Sequence, residues 1–139
     1  VNADGEVFVL DSFAILAYLG GEAGMKRVKH LLQTAEGGAC QLVLPLINLG
    51  EVVYITERKR GLPQAQAALA MLEQLPLEVL PASREAVLAA AHVKANHALS
   101  YADAFAVAAA QTLGGTVLTG DTEFHAVEAL VPVEWLVDS

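Results

Sequence analysis

The chain has 139 residues, 55% of them hydrophobic, and a formal net charge of −8. That is enough chain for one domain (1–139) with a core that needs no covalent staples, while the acidic balance taken alone argues against a polyanionic partner. No apolar run reaches the roughly 18 residues of a membrane helix, so no membrane partner is expected; the lone Cys40 excludes an internal disulfide and a cysteine zinc site, and an acidic start unlike a signal peptide leads us to expect a cytoplasmic protein.

In chain order, Val7-Phe8-Val9-Leu10 reads as a buried strand, followed by a helix over about 12–19 that ends at Gly20-Gly21. A second helix over about 23–35 stops at Gly37-Gly38. Leu42-Val43-Leu44 is the next strand, and Cys40 beside it reads as a small buried side chain. Pro45 suits the first turn of a helix reaching about Arg60, with Gly61 behind it. Pro63 opens another helix to about Leu75, a short strand covers 77–80, and Ser83 caps a helix to about Asn96. Ser100 starts a strongly apolar helix to about Leu113; Thr116-Val117-Leu118-Thr119 is a strand, a short helix starts near Thr122, and 133–136 forms the last strand. Five strands alternating with helices predict an α/β fold, a parallel sheet covered on both faces. Ligands of such sheets bind beyond the carboxyl ends of the strands, so chemistry is expected at that edge.

Acidic residues gather there. Asp11 follows the first strand directly and Asp121 follows the fourth after one glycine. Each alone reads equally well as a helix cap. Asp103 is the only charged side chain between Lys94 and Asp121, in a helix apolar all round. A carboxylate in such surroundings is paired, hydrogen-bonded or metal-bound; the plainer reading is a capping box with Ser100. Glu51 is the sole charge in Leu46-Ile47-Asn48-Leu49-Gly50-Glu51-Val52-Val53-Tyr54. Residues 46, 49, 50 and 53 can share one face; Glu51, near the end of the helix that follows the second strand, reads as an exposed position but need not point to water. Four carboxylates converging on one pocket repel one another unless some protonate or cations balance them. Oxygen-only ligation selects hard ions, Mg²⁺ or Mn²⁺, and a pair of them suits in-line attack on a phosphodiester.

Taken in order, Asp11-Ser12 after a strand, Glu51 in an apolar helix, Tyr101-Ala102-Asp103-Ala104 and Thr119-Gly120-Asp121-x-x-Phe124 resemble the PIN-domain family. The likeness is greatest to the short VapC-type toxins of toxin–antitoxin pairs and extends over about 6–137. It implies a three-layer fold with sheet order 3-2-1-4-5. It implies a metal-dependent endoribonuclease acting on RNA, a homodimer, and a cognate antitoxin. It carries over Asp11, Glu51, Asp103 and Asp121 as catalytic and metal-binding acids, with Ser12 and Thr119 as supporting hydroxyls. Phe13 departs from the small or polar residue usual after Asp-Ser, and Asn48 stands where a hydroxyl is frequent, which touches substrate contacts more than catalysis.

Other readings fit less well. A PIN nuclease of RNA processing outside a toxin–antitoxin pair would carry the same acids. A phosphoaspartate phosphotransfer protein also places Asp after strand one, but it needs a late lysine, and the last here is Lys94. An inactive PIN binding module would not need all four acids. No histidines form an i, i+4 zinc pair, although His125 lies one turn after Asp121 and could reach the pocket. Two basic clusters, Lys26-Arg27 with Lys29 and Arg58-Lys59-Arg60, read as solvated helix surface or as contacts for RNA phosphates.

Overall fold

The computed structural model describes residues 5–136; the expectation of a single domain over 1–139 also takes in residues outside these. Five strands, β1 (Glu6–Leu10), β2 (Cys40–Pro45), β3 (Glu78–Leu80), β4 (Thr116–Thr119) and β5 (Val133–Trp135), form one sheet in the order β3-β2-β1-β4-β5. Every pairing is parallel, and the order is the 3-2-1-4-5 that the family resemblance implies. Six helices, α1 (Ser12–Gly20), α2 (Met25–Glu36), α3 (Leu46–Arg60), α4 (Leu62–Leu72), α5 (Arg84–Asn96) and α6 (Tyr101–Leu113), and the 3₁₀ turn Thr122–Val127 fill the connections.

The central strands lack polar alternation because both their faces are covered. Phe8, Leu10, Leu42, Leu44 and Leu118 pack with Ala14 and Ile15 of α1, Val28 and Leu31 of α2, and Leu49 and Val52 of α3. Their neighbours along the strands, Val7, Val9, Val43 and Val117, pack on the opposite face with Ala90 and Val93 of α5 and the buried side of α6. Helix α6 is apolar all round because Ala104, Phe105, Ala106, Val107, Ala108 and Ala110 are all buried there. No helix among the described residues is long and apolar enough to cross a membrane.

Several boundaries differ from the sequence reading. Helix α2 begins at Met25 rather than 23, since Gly24, at φ 95, holds a left-handed conformation that cannot continue a helix. Pro45 closes β2 in extended conformation and precedes the first helical residue instead of lying within the first turn. Helix α4 stops at Leu72, three residues early, where backbone bonds from Glu73, Gln74 and Leu75 tighten the chain into a turn. The short element after Thr122 is a 3₁₀ helix. Cys40 is half-buried rather than buried, its thiol 3.7 Å from the Leu31 carbonyl.

Candidate active site

Strands β1 and β4 lie side by side at the middle of the sheet, with Leu10 opposite Leu118. The chain leaves β1 into α1 on one face of the sheet, while α6 covers the other face, so a crevice opens between them at the carboxyl edge. Asp11 and Thr119 therefore face each other across adjacent strand ends.

Asp11 is completely buried. One carboxyl oxygen accepts the Ala14 amide at 2.9 Å and so caps α1, as the plainer sequence reading held. The other accepts the Thr119 hydroxyl at 2.5 Å. That hydroxyl in turn accepts the Asp121 amide at 2.9 Å, so a single threonine side chain fixes both acids at the two strand ends. Asp121 also caps the 3₁₀ turn through the Glu123 amide at 2.9 Å. Capping does not compete with a role at the strand edge here; it holds each carboxylate in place.

Asp103 is buried, with 4% of its surface exposed. Only half of the expected capping box forms. Ser100 accepts the Asp103 amide at 3.1 Å, but the Ser100 amide donates to Glu123, at 2.9 Å, and not back to Asp103. Glu123 thus takes the reciprocal position of the box. Oxygens of Asp103, Asp121 and Glu123 lie within 4.8 Å of one another.

Glu51 is half-buried and accepts a short hydrogen bond from the Ser12 hydroxyl, tying α3 to the first turn of α1. The buried side of α3 runs through Asn48, Leu49 and Val52, which corrects the expected face of 46, 49, 50 and 53. Leu46 is exposed and Gly50 lies on the surface, because the face pressed on the sheet is offset toward Asn48. Asn48, one turn before Glu51, donates to the Ala102 carbonyl of α6 at 3.3 Å, and its buried Oδ1 has no partner.

The electrostatics match this crowding. Burial pushes the Asp11 carboxyl up to about 7; the Thr119 and Ala14 hydrogen bonds oppose the shift, and the charges of Asp121 and Glu51 add to it. Asp103 is pushed up to about 8, first by burial, then by the charge of Asp11, the adjoining Glu123 carboxyl and the charge of Asp121, with the Ser100 bond opposing. Among the described residues no lysine, arginine or histidine pairs with any of these acids. The donor set suits a hard divalent cation: all of it is oxygen, two buried acids lack compensating positive charge, and one amide oxygen lacks a partner.

The structure also gives the positions of two other groups that the sequence singled out. His125 turns away from the acids, bonded to Glu128 at 3.1 Å and stacked on Trp135. Of the basic clusters, Arg27 forms a two-point bond with Glu134, Arg58 lies over the Tyr54 ring, and Lys59 and Arg60 line a groove with Phe13. Sequence reasoning missed Glu123. The visible signal was a second carboxylate two residues after Asp121, yet the contact that gives it meaning, to Ser100, spans 23 residues.

The PIN domain family model matches residues 8–130. The chain belongs to the PIN-domain family. Its fold is similar to the VapBC toxin–antitoxin structure from Salmonella typhimurium, solved bound to DNA, with TM-score 0.73 at 19% identity over 95% of this chain and 99% of that one. It is also similar to VapBC2 from Rickettsia felis bound to a promoter DNA fragment, with TM-score 0.71 at 15% identity, covering 92% and 97%. A further similar structure is VapC20 from Mycobacterium tuberculosis, a toxin that cleaves the sarcin–ricin loop, with TM-score 0.67 at 22% identity, covering 88% and 95%. At these identities the likeness establishes the shared fold. No curated protein matches.

Within the PIN-domain fold, Gly120 separates Thr119 from Asp121 and must be small. A Cβ there would lie 2.3 Å from Cε1 of Phe13, so Gly120→Ala has to drive the ring outward. We expect a cost of about 1 kcal/mol in urea unfolding. In a Phe13→Ala background the cost should vanish; an equal cost in both backgrounds would show that the ring contact is not the constraint.

Proposed function

We propose that this PIN domain is a metal-dependent endoribonuclease and the toxin of a toxin–antitoxin pair. The observation that carries the reading is the meeting, at one strand edge, of two buried carboxyls with raised pKa and neighbouring acids, with no basic side chain to balance them among the described residues. In this reading Asp11, Glu51, Asp103 and Asp121 hold Mg²⁺ or Mn²⁺, and Glu123 joins them. When bound, such ions supply Lewis acidity to a phosphodiester and bring water to nucleophilic strength near neutral pH.

The side chains of the chain itself do the positioning. Thr119 orients Asp11 through its hydroxyl and Asp121 through its accepting oxygen, and Ser12 orients Glu51. The first turns of α1 and α6 flank the crevice, and their helix dipoles favour a phosphate laid across it. Burial of Asp11 and Asp103 limits how much bulk water competes at the reacting phosphorus.

RNA is the proposed substrate, and the fold shared with VapBC complexes supports an antitoxin partner; the homodimer is proposed from the family resemblance. The test is incubation of the purified protein with structured and unstructured RNAs in Mg²⁺, Mn²⁺ or chelator. We expect cleavage only with metal, leaving a 5′-phosphate and a 3′-hydroxyl. Cleavage that persists in chelator, or 2′,3′-cyclic phosphate ends, would overturn the metal-directed reading. Co-purification with the product of the adjoining reading frame tests the toxin role, and absence of a complex would count against it.

A further inference from the structure

We propose that Phe13 is a stacking platform for a nucleobase next to the cleaved bond, and so a substrate-binding residue; this rests on the nuclease reading above. Phe13 follows Asp11 and Ser12 in the first turn of α1, and its Cε1–Cζ edge lies against Gly120, the residue before Asp121. The ring is thus held by the same two chain segments that carry the acids at the ends of β1 and β4. A base resting on it would sit within one nucleotide of a phosphate at those acids.

Its exposure has no structural explanation of the kind its neighbours have. Three aromatic side chains are exposed: Phe13 at 41%, Tyr54 at 47% and Tyr101 at 45%. Arg58 covers the Tyr54 ring, and Tyr101 packs edge-on against Phe105. Phe13 alone of the three has no aromatic or cationic partner among the described residues. Its open surface faces a groove of about 420 Å³, whose other walls include Leu16, Glu22, Lys59, Arg60, Gln64 and Met71, two cations against one acid. That volume falls within the ~300–1,000 Å³ of small-ligand sites. Lys59 and Arg60 place two cations there, in a chain of net charge −8. An aromatic ring that shares a groove with cations suits single-stranded nucleic acid, the base on the ring and the neighbouring phosphates at the basic side chains.

Stacking of one base on an aromatic residue changes affinity by about 5- to 150-fold when the residue is truncated. The interaction exists before and during cleavage, so its loss raises KM and leaves kcat nearly constant. The experiment measures kcat and KM on a short single-stranded oligoribonucleotide for the parent and for Phe13→Leu, Phe13→Ala and Phe13→Tyr. We expect Leu and Ala to raise KM about tenfold or more, and Tyr to restore it. Replacing the nucleotide beside the cleaved bond by an abasic one should remove the difference between Phe and Leu. A parental KM for Phe13→Leu overturns the proposal and leaves the nuclease reading standing. So does a variant that keeps its RNA KM but loses the adjoining-frame partner, since the groove then belongs to a peptide. A parent that cuts no RNA with either metal overturns the nuclease reading and the platform with it.

Discussion

Asp103→Asn is expected to lower RNA cleavage by about 10³-fold or more while leaving the protein folded. The substitution keeps the shape and the Ser100 cap, which is made through the backbone amide of residue 103 and not through its side chain. It removes the carboxylate that shares its surroundings with Asp121 and Glu123. A neutral amide is a much poorer ligand for a hard divalent ion, so the loss falls on metal binding and on the charge developed at phosphorus. The same substitution should stabilise the metal-free protein at pH 8, because Asn has no charge to be forced into that buried cluster. A folded Asp103→Asn protein that cuts at the parental rate would remove Asp103 from the site.

The second large effect is on stability. Asp11 and Asp103 both start from 3.8 in the unfolded chain and stand at about 7 and about 8 in the folded one. Between those limits the folded protein holds protons that the unfolded chain has released. Stability therefore falls as pH rises through the window from about 4 to about 8, and levels off on either side. If the site takes the divalent cation proposed for it, that ion binds the ionised folded form and should restore what the rise in pH removes. At pH 8, metal at 100 times its dissociation constant should raise Tm by about 10 °C. At pH 5 the gain should be small, because the protons hold the sites the metal would take. Thermal melts at the two pH values, with and without Mg²⁺ or Mn²⁺, make the comparison. A metal-free Tm that does not change between pH 5 and 8 would contradict these ionisations.

Much of this site could be read from local pattern. Asp11 and Asp121 stand out because apolar strands end just before them, and Asp103 because no other charge shares its helix. The sheet was legible for a related reason: short runs such as Val7–Leu10 are apolar at every position and alternate with helices, as a doubly covered parallel sheet requires. Glu51 was harder. Helix α3 is weakly amphipathic, and its buried side was displaced by packing at Asn48 and Val52 that no spacing in the sequence announces.

What stayed hidden depends on contacts between distant segments. Glu123 is an ordinary exposed acid on a 3₁₀ turn until its carboxylate meets the Ser100 amide. Phe13 and Gly120 are 107 residues apart in sequence, yet each limits what the other can be. The end of α4 at Leu72 was invisible because the turn over 73–75 is made by backbone bonds, while Pro76, the breaker that the sequence does show, comes four residues later.

The central claim is that carboxylates from four separate elements act together as one cation site. Titration of the metal-free protein with Mn²⁺, followed by the paramagnetic resonance of the free ion, tests it most directly. Parent protein should take up Mn²⁺ saturably, and Asp103→Asn should weaken that uptake about tenfold or more. Equal uptake by both proteins would mean the acids crowd together without sharing an ion.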